Sequence, residues 1–311
     1  MSGGVTILVP VGPGEEEPAR LGDLLASIDR HEPHAVNHIV AVDDGIEPRD
    51  LARHRRGAPV SVIRTSLPKP APAPYQAMVA GTLAGLHHAG RLGADAVVKM
   101  DTDALAVGPF ADRVLAAFRH RPEAGILGSF EYTCNGGRRD WSYYRLPVPA
   151  AALPLPVLPG RLQAGQRLPL RRTRPRRALD RFGQLRAALA NGYRLGEHCL
   201  GGAYAVSGEL AAWLGQGRNL QASSAWVESL LGEDAVMGIV ARAAGFESSG
   251  FVTPDGPFAL HHVGLPGEPA DLVGRGAGIV HSLRNHDYGS ERELREAFAA
   301  LADPVPREVA R

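Results

Sequence analysis

Short apolar runs alternate with amphipathic segments over about the first 130 residues of the chain. The runs are rich in β-branched residues and end in turn or acidic residues, as buried parallel strands do. Apolar positions between them recur with the 3.6-residue spacing of helices. The pattern predicts strands at 5–11, 38–45, 60–65, 95–101 and 124–132, and helices at 21–31, 75–90 and 109–121, the last with Pro109 at its first position. This βαβ alternation is typical of an α/β fold with an open, mostly parallel twisted sheet flanked by helices.

The alternation breaks after Cys134. Residues 146–177 are dense in proline and arginine, which predicts an irregular insertion. Regular structure resumes with helices at 178–192, 209–217 and 233–245, a strand at 201–208, and strands and loops near the end of the chain. Ser290 and Glu293 have the spacing of a capping box and predict a last helix at 290–302. We expect one domain over residues 1–311, with two halves that meet near residues 133 and 134.

Composition and charge exclude few classes of protein. The net charge of +1 gives no overall attraction to nucleic acid, and no apolar run approaches the roughly 20 residues that cross a bilayer. Only two cysteines are present, and no signal peptide precedes the first strand. We therefore expect a soluble cytoplasmic protein without a nucleic-acid partner or a membrane span. The oligomeric state stays open.

Two aspartates end the fourth predicted strand in the segment VVKMDTDAL (97–105). In a strand, residues two apart point to the same side, so the side chains of Asp101 and Asp103 can converge at the carboxyl edge of the sheet. Ligands bind at this edge in open α/β sheets, and convergent carboxylates favour a hard cation such as Mg²⁺ or Mn²⁺. An Asp-x-Asp triplet also arises by chance and in solvated turns, so the triplet alone is weak evidence.

A second acidic pair, Asp43 and Asp44, ends the second predicted strand. It lies at the same edge of the predicted sheet and can accept hydrogen bonds from a base or ribose, although Asp-Asp-Gly also favours a simple turn. No Gly-x-Gly-x-x-Gly follows the first strand, which disfavours a dinucleotide dehydrogenase.

Five segments stand in the order found in one enzyme family. ILVPVGPG (7–14), HIVAVDDG (38–45), VVKMDTDAL, LGGAYAVSGEL (200–210) and LGEDAVMG (231–238), followed by a late histidine, resemble nucleotide-sugar glycosyltransferases of the GT-A fold, in particular the inverting family-2-like members. The chain departs from them after the third strand, where SLPKPAPAPYQAMVAG stands in place of an Arg-Asn-x-Gly element. The resemblance implies a single GT-A catalytic domain with a nucleotide-sugar-binding half at about 1–133 and an acceptor-binding half at about 134–311.

The resemblance also implies roles for particular residues. Nucleotide contacts fall on Pro10, Val11, Asp43, Asp44 and Asp101, and Arg284 is suited to a phosphate. Metal ligands fall on Asp101, Asp103 and a histidine, for which His281 is preferred over His261 and His262. Asp234 is the candidate general base. Glu233 is the candidate for an acceptor contact. From the residues themselves, Gly202 would let the backbone approach the sugar or acceptor closely, and Trp141, with Tyr143 and Tyr144, could form a stacking platform for a sugar ring.

Each of these roles has a plainer alternative. Glu233 and Asp234 can simply stabilise the N-terminus of a helix. Gly202 can serve a turn at the start of a strand, and Trp141 can pack in the core. The basic run 171–177 can clasp an anionic acceptor or the diphosphate, or lie in solvent as an ordinary charged segment.

The predicted function is metal-dependent transfer of a sugar, with inversion, from a nucleoside diphosphate sugar, UDP in our expectation, to an acceptor hydroxyl. The predicted cofactor is Mn²⁺ or Mg²⁺. One alternative is a sugar-phosphate nucleotidyltransferase, but three glutamates in VGPGEEEPAR (11–20) would repel its triphosphate. Another is a non-catalytic nucleotide-sugar-binding protein. The sequence assigns neither the sugar nor the acceptor.

Overall fold

A seven-stranded sheet, open and mostly parallel, runs through the centre of the computed structural model, which describes residues 4–69, 71, 74–153, 175–229, 231–284 and 288–302. Its strand order is β3-β2-β1-β4-β7-β6-β8, and a three-stranded sheet has the order β5-β10-β9. The strands are β1 (Val5–Val11), β2 (Val36–Asp43), β3 (Val60–Ile63), β4 (Ala96–Met100), β5 (Leu105–Ala106), β6 (Ala124–Gly128), β7 (Ala203–Ser207), β8 (Glu247–Gly250), β9 (Phe258–Leu260) and β10 (Ile279–His281).

Helices cover both faces of the large sheet. They are α1 (Glu17–His31), α2 (Pro74–Leu92), α3 (Ala111–His120), α4 (Pro147–Ala152), α5 (Pro175–Ala190), α6 (Gly208–Gly215), α7 (Gly217–Ser223), α8 (Glu233–Ala243), α9 (Pro269–Gly274) and α10 (Glu291–Ala302), with 3₁₀ turns at Leu51–His54, Ser142–Tyr144 and Ser224–Glu228. Alternate residues of β1 face opposite layers, so Ile7 and Val9 join the core under α1 and α3, whereas Leu8 joins the core under α2, α6 and α8. The α/β architecture predicted from the apolar pattern is therefore confirmed.

Strand β7 runs antiparallel to β4, with Met100 opposite Ala203. The residues that precede β7 therefore lie beside the residues that follow β4. The amide of Asp101 donates to the carbonyl of Gly202 at 2.9 Å. This pairing brings two segments that are far apart in the sequence together at one edge of the sheet.

Three predictions in the middle of the chain were wrong in part. The predicted strand 124–132 ends at Gly128, and the chain then turns back, with Tyr132 bridged to Arg138. Pro109 lies before α3, which begins at Ala111. The predicted irregular insertion contains α4, with prolines in its first turn, and the start of α5, while residues 154–174 of that insertion lie outside the described residues.

Other differences concern short elements. Predicted helix 209–217 is divided, since α6 ends at Gly215 and α7 follows it. Helix α9 occupies a region predicted as strand and loop.

The capping box of the last helix is confirmed, because the Ser290 amide donates to Glu293 Oε2 at 2.7 Å and the Glu293 amide donates to Ser290 Oγ at 3.3 Å. Throughout the described residues, every helix is too short or too polar to cross a bilayer.

Candidate metal centre and the neighbouring acidic pair

Asp101, Asp103 and His281 form a cluster at the carboxyl end of β4. One ligand atom from each lies within 4.8 Å of the others. His281 Nε2 is 3.4 Å from Asp103 Oδ1 and 3.9 Å from Asp101 Oδ2. The aspartates lie in the turn after β4, closed by a bond from the Ala104 amide to the Asp101 carbonyl, and not in the strand itself as predicted. The two carboxylates converge as expected, because this turn places both of them beside His281 at the end of β10.

The contacts of His281 orient its imidazole for a cation. Its Nδ1 is 3.0 Å from the carbonyl oxygen of His261, and because a carbonyl only accepts, Nδ1 carries the hydrogen. In the neutral ring, Nε2 then presents its lone pair to two carboxylates, an arrangement that a divalent cation stabilises. His261 and His262 are exposed, and His261 Nδ1 is 2.7 Å from the carbonyl oxygen of Val263. Of the three histidines considered, His281 is the one in the cluster.

Gly202 gives the His281 ring its space. A Cβ added to Gly202 would lie 2.2–2.4 Å from three atoms of the imidazole. The predicted contact of Gly202 with an acceptor stays a prediction, and its observed packing serves the histidine of the metal cluster.

Asp103 is held in its ionised form by its neighbours. Burial raises the pKa of the Asp103 carboxyl, but His281 in its protonated form, together with Arg284 and Ser282, lowers it well below its ordinary value. Ser282 Oγ donates to Asp103 Oδ2 at 2.8 Å, and Arg284 Nε lies 3.3 Å from the same oxygen. Asp103 Oδ1, on the side of His281, therefore remains available to a cation.

Arg284 also contacts Glu17, the first residue of α1. Its Nη2 donates to Glu17 Oε1 at 3.0 Å, while the hydroxyl of Thr102 donates to Glu17 Oε2. The Asp-Thr-Asp turn is thus held by Glu17 of α1 and by Ser282, which follows β10. The side chain of Arg284 is 43% exposed and its guanidinium lies beside Asp103, so it can approach a phosphate near that carboxylate.

Lys99 is a fully buried ammonium that lies between Asp101 of the candidate metal cluster and Glu233. Its Nζ donates to Asp101 Oδ1 at 2.7 Å and to the carbonyl of Gly201, and it lies 3.7 Å from Glu233 Oε1. Burial lowers the pKa of Lys99, but the carboxylates of Asp101 and Glu233 outweigh it and raise the pKa overall. Lys99 therefore stays protonated and leaves Asp101 Oδ2 facing His281.

Glu233 is a buried carboxyl at the start of α8. Burial raises its pKa to about 7, although Lys99 acts in the opposite direction. The hydroxyl of Tyr204 donates to Glu233 Oε1. Because Glu233 is only 2% exposed and bound on both sides, its observed contacts are internal. Its predicted acceptor contact stays a prediction.

Asp234, the next residue, faces a different set of groups. Its Oδ1 accepts from the Ala235 amide at 2.8 Å, and its Oδ2 lies 3.5 Å from His198 Nε2. Arginine can only donate, so the 2.9 Å contact from Arg139 Nη2 makes His198 Nε2 an acceptor, and Nδ1 donates to the Gly196 carbonyl. Burial lowers the pKa of His198 despite Asp234 nearby. His198 is thus neutral and gives no proton to Asp234, whose side chain is 19% exposed.

The predicted nucleotide contacts at the ends of β1 and β2 show mostly internal packing. Asp43 is fully buried, and its oxygens accept from the Gly45 amide, Arg49 and Arg64. Asp44 accepts from Lys69. Val11 is buried and Pro10 is half-buried. Asp43 therefore organises the loops at this edge, and its contact with a nucleotide stays a prediction.

Trp141 packs against protein on both sides. Its ring centroid is 4.9 Å from that of Phe130, and Arg194 stacks on it at 4.8 Å. This packing agrees with the alternative role in the core, and the sugar contact predicted for Trp141 stays a prediction.

Several residues of the site were absent from the sequence prediction. Lys99 had a visible signal, because a charged residue within an apolar strand is rarely buried without a partner. Glu17, His198 and Tyr204 had no local signal, because their partners are distant in sequence.

Models of known protein families and the curated proteins were both compared with this chain, and neither comparison found a match.

Proposed function

We propose that this protein is a metal-dependent glycosyltransferase of the GT-A type, acting on a nucleoside diphosphate sugar with inversion. One observation carries the proposal. The cluster of Asp101, Asp103 and His281 lies at the carboxyl edge of an open α/β sheet, and the adjacent glycines Gly201 and Gly202 lie against Asp234 and His281, respectively. The strand order and the ordered series of motifs support the same class of enzyme.

The donor side of the proposed site is the metal cluster with Arg284. Asp101 Oδ2, Asp103 Oδ1 and His281 Nε2 would hold Mn²⁺ or Mg²⁺. The bound cation would stabilise the negative charge that develops on the leaving diphosphate. Arg284 would exchange part of its contact with Asp103 and Glu17 for a phosphate oxygen.

The acceptor side of the proposed site is Asp234. A general base must reach the acceptor hydroxyl from the face opposite the leaving group. Asp234 Oδ2 is partly exposed and faces a neutral His198, so it can accept that proton. Glu233, neutral or bound to Lys99, is the less suitable base because it is buried.

Thermal unfolding with Mn²⁺ and nucleoside diphosphates tests the donor class. We expect UDP with Mn²⁺ to raise the Tm more than GDP or ADP does, and EDTA to abolish the effect. Hydrolysis of UDP-sugars in the presence of Mn²⁺ then tests catalysis. A wild-type Tm that no nucleoside diphosphate changes, with or without metal, would show that the proposed function is wrong.

Two substitutions separate the proposed roles. Asp103→Asn should lose the stabilisation by Mn²⁺, whereas Asp234→Asn should keep it and lose about 10²–10⁴-fold in transfer rate. Asp255→Asn, at an exposed aspartate in another loop, is the matched control and should behave as wild type. Full transfer activity in folded Asp234→Asn would contradict the assignment of the base.

A further inference from the structure

Helix α5 exposes large apolar side chains to water and buries polar ones. Its exposed residues are Pro175, Arg176, Leu179, Phe182, Gly183, Arg186, Leu189 and Ala190. At 100° per residue these eight positions share one side of the helix. Leu179 is 68% exposed, and Phe182 and Leu189 are each 47% exposed. A surface helix normally presents charged and polar residues to water, so an apolar outer side indicates a contact with something else.

The buried side of α5 carries the helix's polar contacts. Arg181 Nη1 donates to the carbonyl of Ala225 at 3.0 Å. Gln184 Nε2 donates to Ser223 Oγ at 2.9 Å, and its Oε1 accepts from the Trp226 indole at 2.7 Å. These bonds fix the rotation of α5 about its axis. The exposed leucines and phenylalanine therefore cannot turn inward without breaking them.

Positive charge accompanies this apolar side. Helix α5 contains four arginines and one acidic residue, Asp180, in a chain whose net charge is only +1. Arg176 and Arg186 lie among the exposed apolar residues, and the exposed set contains no carboxylate. Between α5 and α7 lies a cavity of about 430 Å³, lined in part by Arg176, Arg177, Gln221, Ser224 and Asp180. This lining includes the carboxylate of Asp180, and Arg177 Nη1 lies 3.4 Å from Glu228 Oε1, so Arg176 and Arg186 are the arginines that accompany the apolar side.

We propose that this side of α5 docks on the surface of an anionic lipid bilayer. Leu179, Phe182 and Leu189 would enter the boundary between head groups and acyl chains, and Arg176 and Arg186 would contact lipid phosphates. Binding of a helix in a membrane interface grows with the apolar area that it buries and with the attraction of its cations to anionic lipids, and this side of α5 offers both. The negative charge of such a surface complements the arginines. A symmetric contact with a second copy would place arginines against arginines, which disfavours self-association. The proposal does not depend on the proposed enzymatic function.

Co-sedimentation with vesicles tests this proposal. The wild-type protein should bind vesicles that contain about one third phosphatidylglycerol, bind pure phosphatidylcholine weakly, and detach as salt increases. Leu179→Glu with Phe182→Glu should lower the partition onto anionic vesicles by about tenfold or more. Arg176→Gln with Arg186→Gln should lower it by about tenfold and reduce the dependence on salt.

Leu92→Glu provides the matched control. Leu92 is an exposed leucine next to an exposed arginine, Arg91, at the end of α2, and its replacement should leave vesicle binding unchanged. All substituted positions are exposed, and circular dichroism should show unchanged folding. The proposal is overturned if wild type does not bind anionic vesicles, if it binds neutral ones equally, or if Leu92→Glu loses as much binding. It is also overturned if Leu179→Glu with Phe182→Glu only converts a dimer into a monomer.

Discussion

At the scale of single residues, Gly202 has a role that its lack of a side chain explains. A methyl group at this position would overlap the His281 imidazole, at 2.2–2.4 Å. We expect Gly202→Ala to displace that ring and to weaken Mn²⁺ binding by about tenfold or more, as the loss of a positioning contact does at metal sites. Titration calorimetry with Mn²⁺ measures this change.

Gly274→Ala is the control for that substitution. Gly274 lies in helix α9, and a Cβ there would meet no atom within 4 Å. Its replacement should leave Mn²⁺ affinity unchanged and stability equal or slightly higher, because alanine restricts the unfolded chain more than glycine does. Equal Mn²⁺ affinity in Gly202→Ala and Gly274→Ala would contradict the role given to Gly202.

Glu233 gives the stability of the protein a pH dependence with a definite sign. Its pKa rises from 4.5 to about 7 on folding, so between these values the folded state binds more protons than the unfolded state. Stability should therefore fall as pH rises from about 5 to about 8, with a contribution of at most about 3 kcal/mol. In Glu233→Gln this fall should be absent.

Urea unfolding of wild type and Glu233→Gln across that pH range measures the difference. His198 acts in the opposite direction, because its pKa is lowered in the folded protein, so stability rises as pH increases toward its ordinary value. It is present in both proteins, and subtraction removes its effect. Identical pH profiles would show that Glu233 does not titrate in this range.

The sequence predicts which residues form the candidate metal cluster, but not the contacts around them. Asp101 and Asp103 follow a recognisable apolar strand, and a late histidine is part of the family resemblance. Asp43 is predicted to contact a nucleotide, and its observed partners are Arg49 and Arg64, which follow it in the chain. Such pairing depends on loop conformations that the spacing of residues does not determine.

At the scale of elements, helix α3 shows how a tertiary contact sets a boundary. The side chain of Glu32 is 8% exposed, and its Oε1 accepts from the amides of Phe110 and Ala111. These amides would otherwise have no partner at the start of the helix. The residue that caps α3 therefore comes from the end of α1, which explains why the local sequence placed the start too early.

Two cap substitutions compare this buried cap with an exposed one. Glu32→Ala should lower the free energy of unfolding by about 2 kcal/mol or more, because it leaves buried amides unpaired. Ser290→Ala removes the exposed capping box of α10 and should cost about 1 kcal/mol or less. Urea unfolding measures both values. A larger loss in Ser290→Ala than in Glu32→Ala would contradict this ranking.

The longer elements in both halves of the chain follow from local pattern, whereas several short ones do not. Strands β1, β2 and β4 are apolar because both of their faces are covered, and the sequence shows this directly. Strand β8, with the sequence ESSG, carries no apolar signal and exists because it pairs with β6. Short α4 begins in prolines that suit a first turn but also suit an irregular loop.

At the scale of the whole molecule, a cation should stabilise the complete fold. Its three candidate ligands come from β10 and from the turn after β4, so the unfolded chain does not present them together. We expect Mn²⁺ at 100 times its Kd to add about 2.7 kcal/mol to the free energy of unfolding. The urea midpoint should rise with an unchanged m-value, whereas Asp103→Asn should show no rise. A change in the m-value would indicate that the cation also binds the unfolded chain.

The ion pair between Glu17 and Arg284 has a consequence for folding. Its two residues are separated by 267 positions, and the nearby pair of Arg20 and Glu291 by 271. Contacts of such long range close long loops of chain at a cost in entropy, so we expect them to form in the late steps of folding. Arg284 also contacts Asp103, so we expect the candidate metal centre to be completed late in folding, and a ligand that binds it to favour molecules in which residues near both ends of the described chain have met.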